Sequence, residues 1–123
     1  MRDIQEVLSR YGVWASDNSN IDFSHVAAGF KGLLPPSGPT KKSCSDDDGL
    51  IVDGAVTRLK DLRNSEEFEM IYVHYILGQS KSAIARAKKC DEKIIRIKLQ
   101  IAEGFIDGCI SMLGVRLDMD KYF

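Results

Sequence analysis

The chain has 123 residues, 44% of them hydrophobic and 28% charged, with a formal net charge of −1. That length supports one core, and that balance is the one ordinary globular domains show. It excludes a membrane-spanning helix, because no apolar run approaches the roughly 18 residues a bilayer demands, and a disulfide scaffold, because Cys44, Cys90 and Cys109 are odd in number and widely spaced.

The first element is a helix over residues 3 to 16, "DIQEVLSRYGVWAS", with Ile4, Val7, Leu8, Tyr11, Trp14 and Ala15 at spacings of three and four and Asp3 near its start. Its amphipathic pattern differs from a basic head followed by an apolar block, so no secretory signal is expected and the cytosol is the expected compartment. "DNSN" breaks it, since short polar side chains compete for backbone hydrogen bonds. A second, shorter helix is expected over "DFSHVAAGFKGLL", capped by Asp22 or Ser24. "PPSGPTKKSCS", residues 35 to 45, holds all three prolines and is expected to be an exposed, mobile loop. "DDDGLIVDGAVTRLKDL" starts a third helix with Ile51, Ala55, Leu59 and Leu62 on one stripe; within it "GLIVDGAV" is the one segment ambiguous with a strand. Asn64 followed by Glu67 has capping-box spacing ahead of "FEMIYVHYIL", where Phe68, Ile71, Tyr72, Tyr75 and Ile76 are expected to face inward. Gly78 then ends that helix as a C′ glycine does. The fold class is therefore mainly α, a single compact helical domain over 1–123.

"GQSKSAIARAKKCDEKIIRIKL", residues 78 to 99, holds the charge that the net value hides. From Lys81 to Lys98 the chain carries a net of +5, and the remainder a net of −6. Such asymmetry is the footprint of a polyanion-binding surface, or of a solvated helix face. The same stretch has the spacing of a helix-turn-helix, over about 79–103. Ser80 caps a short first helix through about Ala87. With Ala85 as the fifth position, the tenth is Cys90, the fifteenth Ile95 and the nineteenth Leu99. A small residue at the fifth lets the second helix cross closely, and apolar ones at the tenth and fifteenth fill the angle. Asp91 caps the second helix, which projects Glu92, Lys93 and Arg96 from its first turns and Lys98 farther along. One position departs from the pattern. The ninth is Lys89 where a left-handed backbone favours glycine, a cost of roughly 1 kcal/mol or more.

"YILGQSKSAIARAKKCDEKIIRIKLQIAEG" is similar to region 4 of bacterial sigma factors. Over nearly the whole chain the sequence resembles the late-gene antitermination Q proteins of lambdoid phages, of the phage 21 type. The blocks that carry this are "MRDIQEVLSRYGVWA", "AAGFKGLLP", "CSDDDGLIVDGAVTRLK", "YILG", "LQIAEG" and "LGVRLDMDKY". The resemblance implies a protein of the bacterial host cytoplasm that recognises double-stranded DNA near the phage late promoter. It would load there onto paused RNA polymerase, with the sigma factor still present, and narrow the RNA exit channel so that pause and terminator hairpins cannot form. It also implies no membrane, no cofactor and no catalysis; two copies on repeated half-sites would suit a module this size, since a single short helix reads few base pairs. Carried over residue by residue, the DNA contacts fall on Ser80, Lys81, Ser82, Arg86, Lys88, Lys89, Glu92, Lys93, Arg96 and Lys98. In our division, Lys81, Arg86, Lys88, Lys89 and Lys98 neutralise phosphates, whereas Glu92, Lys93 and Arg96 read bases. Ile94 and Ile97 depart from the family pattern and either meet a thymine methyl or pack inward. Related proteins can carry a tail beyond the last shared block, so any contact borne there falls outside this chain.

Other readings compete. "SDDD" at 45–48 has the carboxylates of a magnesium nuclease, but three adjacent aspartates at a helix start diverge and suit the helix dipole, so capping is expected. With only His25 and His74 beside the cysteines, no structural metal is expected and the thiols are read as free. Trp14, Tyr11, Tyr72 and Tyr75 have the spacing of core residues rather than of base-stacking ones, and His74 is expected at the surface. Gly104 and Gly108 are expected to let "FIDGCISML" pack closely on the first helix. Asp46, Asp47, Asp48, Glu66, Glu67 and Glu69 are read as a solvated exterior, with a polymerase-facing role as the alternative. Two further functions stay open: a promoter-binding regulator that never travels with polymerase, and a polymerase-binding protein independent of DNA.

Overall fold

The computed structural model describes residues 2–17, 42–63 and 65–122. Its elements are α1 (Ile4–Asp17), α2 (Asp46–Leu62), α3 (Ser65–Ile71) running into a π-helical turn (Tyr72–Ile76), α4 (Lys81–Lys88), α5 (Glu92–Met112) and a closing 3-10 turn (Asp118–Tyr122). The ambiguous "GLIVDGAV" is helix, inside α2. The expected second helix and residues 35–41 of the expected loop lie outside the described residues.

Local chemistry accounts for the helix starts. Asp3 accepts from the Glu6 N–H at 3.2 Å ahead of α1. Ser45 accepts from the Asp48 N–H at 3.2 Å ahead of α2, which satisfies one of the donors a helix start leaves open. Asn64 lies outside the described residues, and the Glu67 carboxylate takes two N–H groups of Arg63, at 2.5 and 2.8 Å. Gly78 has φ 74°, the left-handed conformation a helix-ending glycine supplies.

One core joins the elements. Val7, Leu8 and Tyr11 of α1, Val52, Ala55, Val56 and Leu59 of α2, Phe68, Met70 and Ile71 of α3, and Ile95, Leu99, Ala102, Ile106 and Ile110 of α5 are all buried in it. The stripe on α2 differs from expectation at its edges: Ile51 is half-buried and Leu62 is 68% exposed. At about 100° per residue both stand roughly 80–100° to one side of the Val52–Leu59 line. Tyr75 and Ile76 are likewise half-buried rather than fully inward.

Closest approach falls where glycine permits it. A Cβ at Gly12 would lie 1.9 Å from the Tyr75 carbonyl oxygen, so α1 and the π-helical turn touch backbone to backbone. Gly104 and Gly108 do not serve the expected close packing on α1: a Cβ at either meets nothing within 4 Å. They line an open groove of about 760 Å³ between α5 and α2, together with Leu50, Ile51, Gly54, Phe105 and Met112.

Two acidic groups read as exterior are interior. Asp48, 2% exposed, accepts the Asp118 and Met119 N–H groups at 2.8 and 3.0 Å and so ties the closing turn to α2. Glu67 is 5% exposed. Asp46 is exposed, but accepts from the Trp14 indole N–H at 2.9 Å. Asp47 of "SDDD" is exposed, and Asp46 and Asp48 are divided between separate structural bonds. Their backbone separation at a helix start is what divides them.

Candidate nucleic-acid interface

Residues 80 to 99 form two helices joined at a fixed angle. Ser80 Oγ accepts from the Ala83 N–H at 3.1 Å and starts α4. At its end Lys89 adopts φ 55°, ψ 46°, the left-handed conformation expected of the ninth position although the residue is not glycine. The Cys90 N–H reaches back to the Ala85 carbonyl at 3.0 Å. Asp91 Oδ1 then accepts from the Lys93 N–H at 2.9 Å and starts α5.

The angle is held from inside. Ala85, Ile95 and Leu99 are buried, Cys90 is half-buried against the same core, and Ala83 and Ile84 are buried beside them. Burying Ile95 and Leu99 contributes about 1.5–3 kcal/mol each, enough to fix the crossing.

The ten residues expected at the site fall into three groups. Ser82, Arg86, Lys89 and Lys93 are exposed, and no described carboxylate pairs with the last three. Arg96 is exposed but bonds to Glu92 one turn back at 3.2 Å, an arrangement that presets the guanidinium on the outer face. Ser80, also exposed, holds the α4 cap, and Lys81 is half-buried beside a polar cleft that includes Asp3, Glu6 and His74.

Lys88 and Lys98 form the third group. Lys88 Nζ bonds to Glu69 at 2.9 Å and Lys98 Nζ bonds to Glu66, both carboxylates on α3. The Lys98 ammonium holds the Glu66 carboxyl below the usual carboxylate range, against a smaller opposing push from burial. Composition did not reveal these counter-charges, because the pairs are 19 and 32 residues apart in sequence. The three-residue spacing of Glu66 and Glu69 put both on one side of α3, and that was the signal present.

One side chain lies elsewhere than expected. His74 is half-buried, its Nδ1 2.8 Å from the Gln79 carbonyl oxygen. Tyr11 and Tyr75 donate to Asp53 and Glu103, at 2.7 and 2.5 Å, so their rings serve the core. Burial first, then the neighbouring carboxylate, pushes both phenols up. Cys44, Cys90 and Cys109 are free and half-buried, and burial with Asp48 and Asp46 pushes the Cys44 thiol up to about 11. Ile94 and Ile97 do not pack inward: they are 44% and 45% exposed. Among the described residues no three His, Cys, Asp or Glu side chains converge as metal ligands, and no helix is long and apolar enough to cross a membrane.

The described residues thus form an all-helical domain that presents a cationic helix pair, its angle held by the core. The chain belongs to the phage antitermination protein Q family, whose sequence profile matches residues 1–118. It is 58% identical over 120 residues to a probable antitermination protein Q of Acyrthosiphon pisum secondary endosymbiont phage 1, covering 97% of this chain and 81% of that one. It is 42% identical over 124 residues to antitermination protein Q of Escherichia phage 933W, covering 99% and 85%. Among solved structures the fold is shared with transcription antitermination factor Q21, at a TM-score of 0.67 and 19% identity, over 89% of this chain and 85% of that one.

Proposed function

We propose that this antitermination protein binds double-stranded DNA near a late promoter through α4 and α5, as a sigma-region-4-like helix-turn-helix. From there it loads onto host RNA polymerase while the sigma factor is still present. Once loaded, it suppresses pausing and terminator-hairpin formation at the RNA exit channel, in the bacterial cytoplasm and without catalysis of its own. The observation that carries the reading is the outward projection of Arg86, Lys89, Lys93 and Arg96 from two helices whose crossing is held by Ala85, Ile95 and Leu99. Such a unit offers the first turns of its second helix to a major groove.

Within it, Arg86 and Lys89 would meet phosphates, while Glu92, Lys93 and Arg96 address base edges. Ser80, Lys81 and Ser82 would meet the backbone at the start of α4. Lys88 and Lys98 would exchange a carboxylate of α3 for a phosphate, a swap of like for like that limits their net gain. A single short helix reads few base pairs, so two copies on neighbouring half-sites are expected.

The test is transcription from a late promoter through a distant terminator, run beside a mobility shift on promoter DNA. Binding together with read-through supports the full reading. Binding without read-through leaves a stationary promoter regulator, and read-through without binding leaves a polymerase-directed protein independent of DNA.

A further inference from the structure

Charge marks four cations on the outer face of α4 and α5, but the middle of that face on α5 is apolar. At about 100° per residue, Ile97 stands roughly 160° around the helix from Ile95 and from Leu99. Those two are each 1% exposed, whereas Ile97 is 45% exposed. Lys93, Arg96 and Gln100, all exposed, lie to one side of it, and Ile94 and Ile101 to the other. Ile97 therefore contributes nothing to the core, and its branched side chain sits beside two cations that water solvates well. In a major groove the same side chain meets the one apolar group on a base edge, the C5-methyl of thymine.

We propose that Ile97 and Gln100 are specificity-determining residues, Ile97 packing on a thymine methyl and Gln100 forming paired hydrogen bonds with N6 and N7 of an adenine beside it. This rests on the DNA-binding reading above and deepens it by naming what the helix reads. Three residues of helix rise about 4.5 Å, close to the roughly 3.4 Å between stacked base pairs, so the two side chains address neighbouring pairs. Lys93 and Arg96, on the Gln100 side of Ile97, supply the attraction that brings the apolar centre into the groove. The recognised site accordingly contains A·T pairs at its centre.

The test uses the whole chain and a random duplex library. In the selected duplex each thymine is replaced by deoxyuridine, which removes only the methyl, and each adenine by 7-deazaadenine, which removes only N7. Kd is then measured for wild type, Ile97→Ala and Gln100→Ala, with a thermal melt confirming that these exposed substitutions keep the fold. Wild type should lose about fourfold at one deoxyuridine, the worth of a methyl-sized group, and Ile97→Ala should be indifferent to it. At the neighbouring 7-deazaadenine, wild type should lose about fivefold or more, and Gln100→Ala nothing. Equal losses in wild type and variant overturn the assignment, as does wild-type indifference to every such replacement. Selection of no sequence at all is a separate result, because it removes the DNA reading on which the assignment stands. Ile97→Ala that binds DNA normally but loses terminator read-through also overturns it, and gives the stripe to a protein partner.

Discussion

The closing-turn end of the molecule and the α4–α5 pair are both dense in charge and treat it in opposite ways. At the first, Arg2 bonds to Asp107 and to Asp120, at 3.0 and 3.1 Å, and Asp48 receives two backbone N–H groups of the closing turn. At the second, Arg86, Lys89 and Lys93 are exposed and enter no ion pair among the described residues. Between the two, α3 restrains Lys88 and Lys98 with Glu69 and Glu66. Charge density alone does not separate scaffold from interface. The position of the counter-charge does.

The largest effect expected is at the scaffold. Gly12→Ala places a methyl where the Tyr75 carbonyl oxygen stands, and neither backbone can retreat without moving a helix. A loss of about 3 kcal/mol or more is expected, read as a lower midpoint in urea. Asp48→Ala comes next. It leaves two N–H groups of the closing turn without their acceptor, for about 2 kcal/mol, with increased amide exchange at Asp118 and Met119 as the local readout. A full-sized effect of either change on DNA affinity with none on stability would dissolve the distinction between the two regions.

At the interface the signs differ. Arg96→Ala removes only an exposed pair with Glu92, so stability should change by less than about 0.5 kcal/mol while discrimination between specific and random duplex falls by roughly 1–3 kcal/mol. Lys89→Gly separates the two properties within one residue. It relieves a left-handed backbone and should stabilise by about 1 kcal/mol, yet it removes a phosphate partner and should lower the salt slope by about 1 for all sequences. Loss of stability there would mean that the lysine stem packs as part of the scaffold.

Acid provides the smallest and most graded test. Burial pushes the Asp120 carboxyl up, but the bond from Arg2 and that from the Leu117 N–H outweigh it and hold the group below its ordinary range. A depressed acid contributes stability that is complete above its ordinary value near pH 4 and is lost as pH falls through the folded value. Wild type should therefore lose stability below about pH 4, and Asp120→Asn should flatten that part of the profile.

Much of this was legible in the chain itself. The helix starts at Asp3, Ser80 and Asp91, the left-handed turn at Lys89, and the inward line of Ala85, Ile95 and Leu99 all follow from spacing. The roles of Glu66, Glu69 and Asp48 did not, nor did the open groove at Gly104 and Gly108. Each of those depends on a partner from another helix.

Sequence by itself determined the helices, their caps and the two-helix basic unit, because a cap or a helical stripe is settled by residues within about four positions of one another. Only the tertiary structure decided which charges are answered and which are offered, and that Ile97 faces out beside the cations. Those outcomes rest on contacts between groups tens of residues apart, and packing of the whole core, not local spacing, brings such groups within reach.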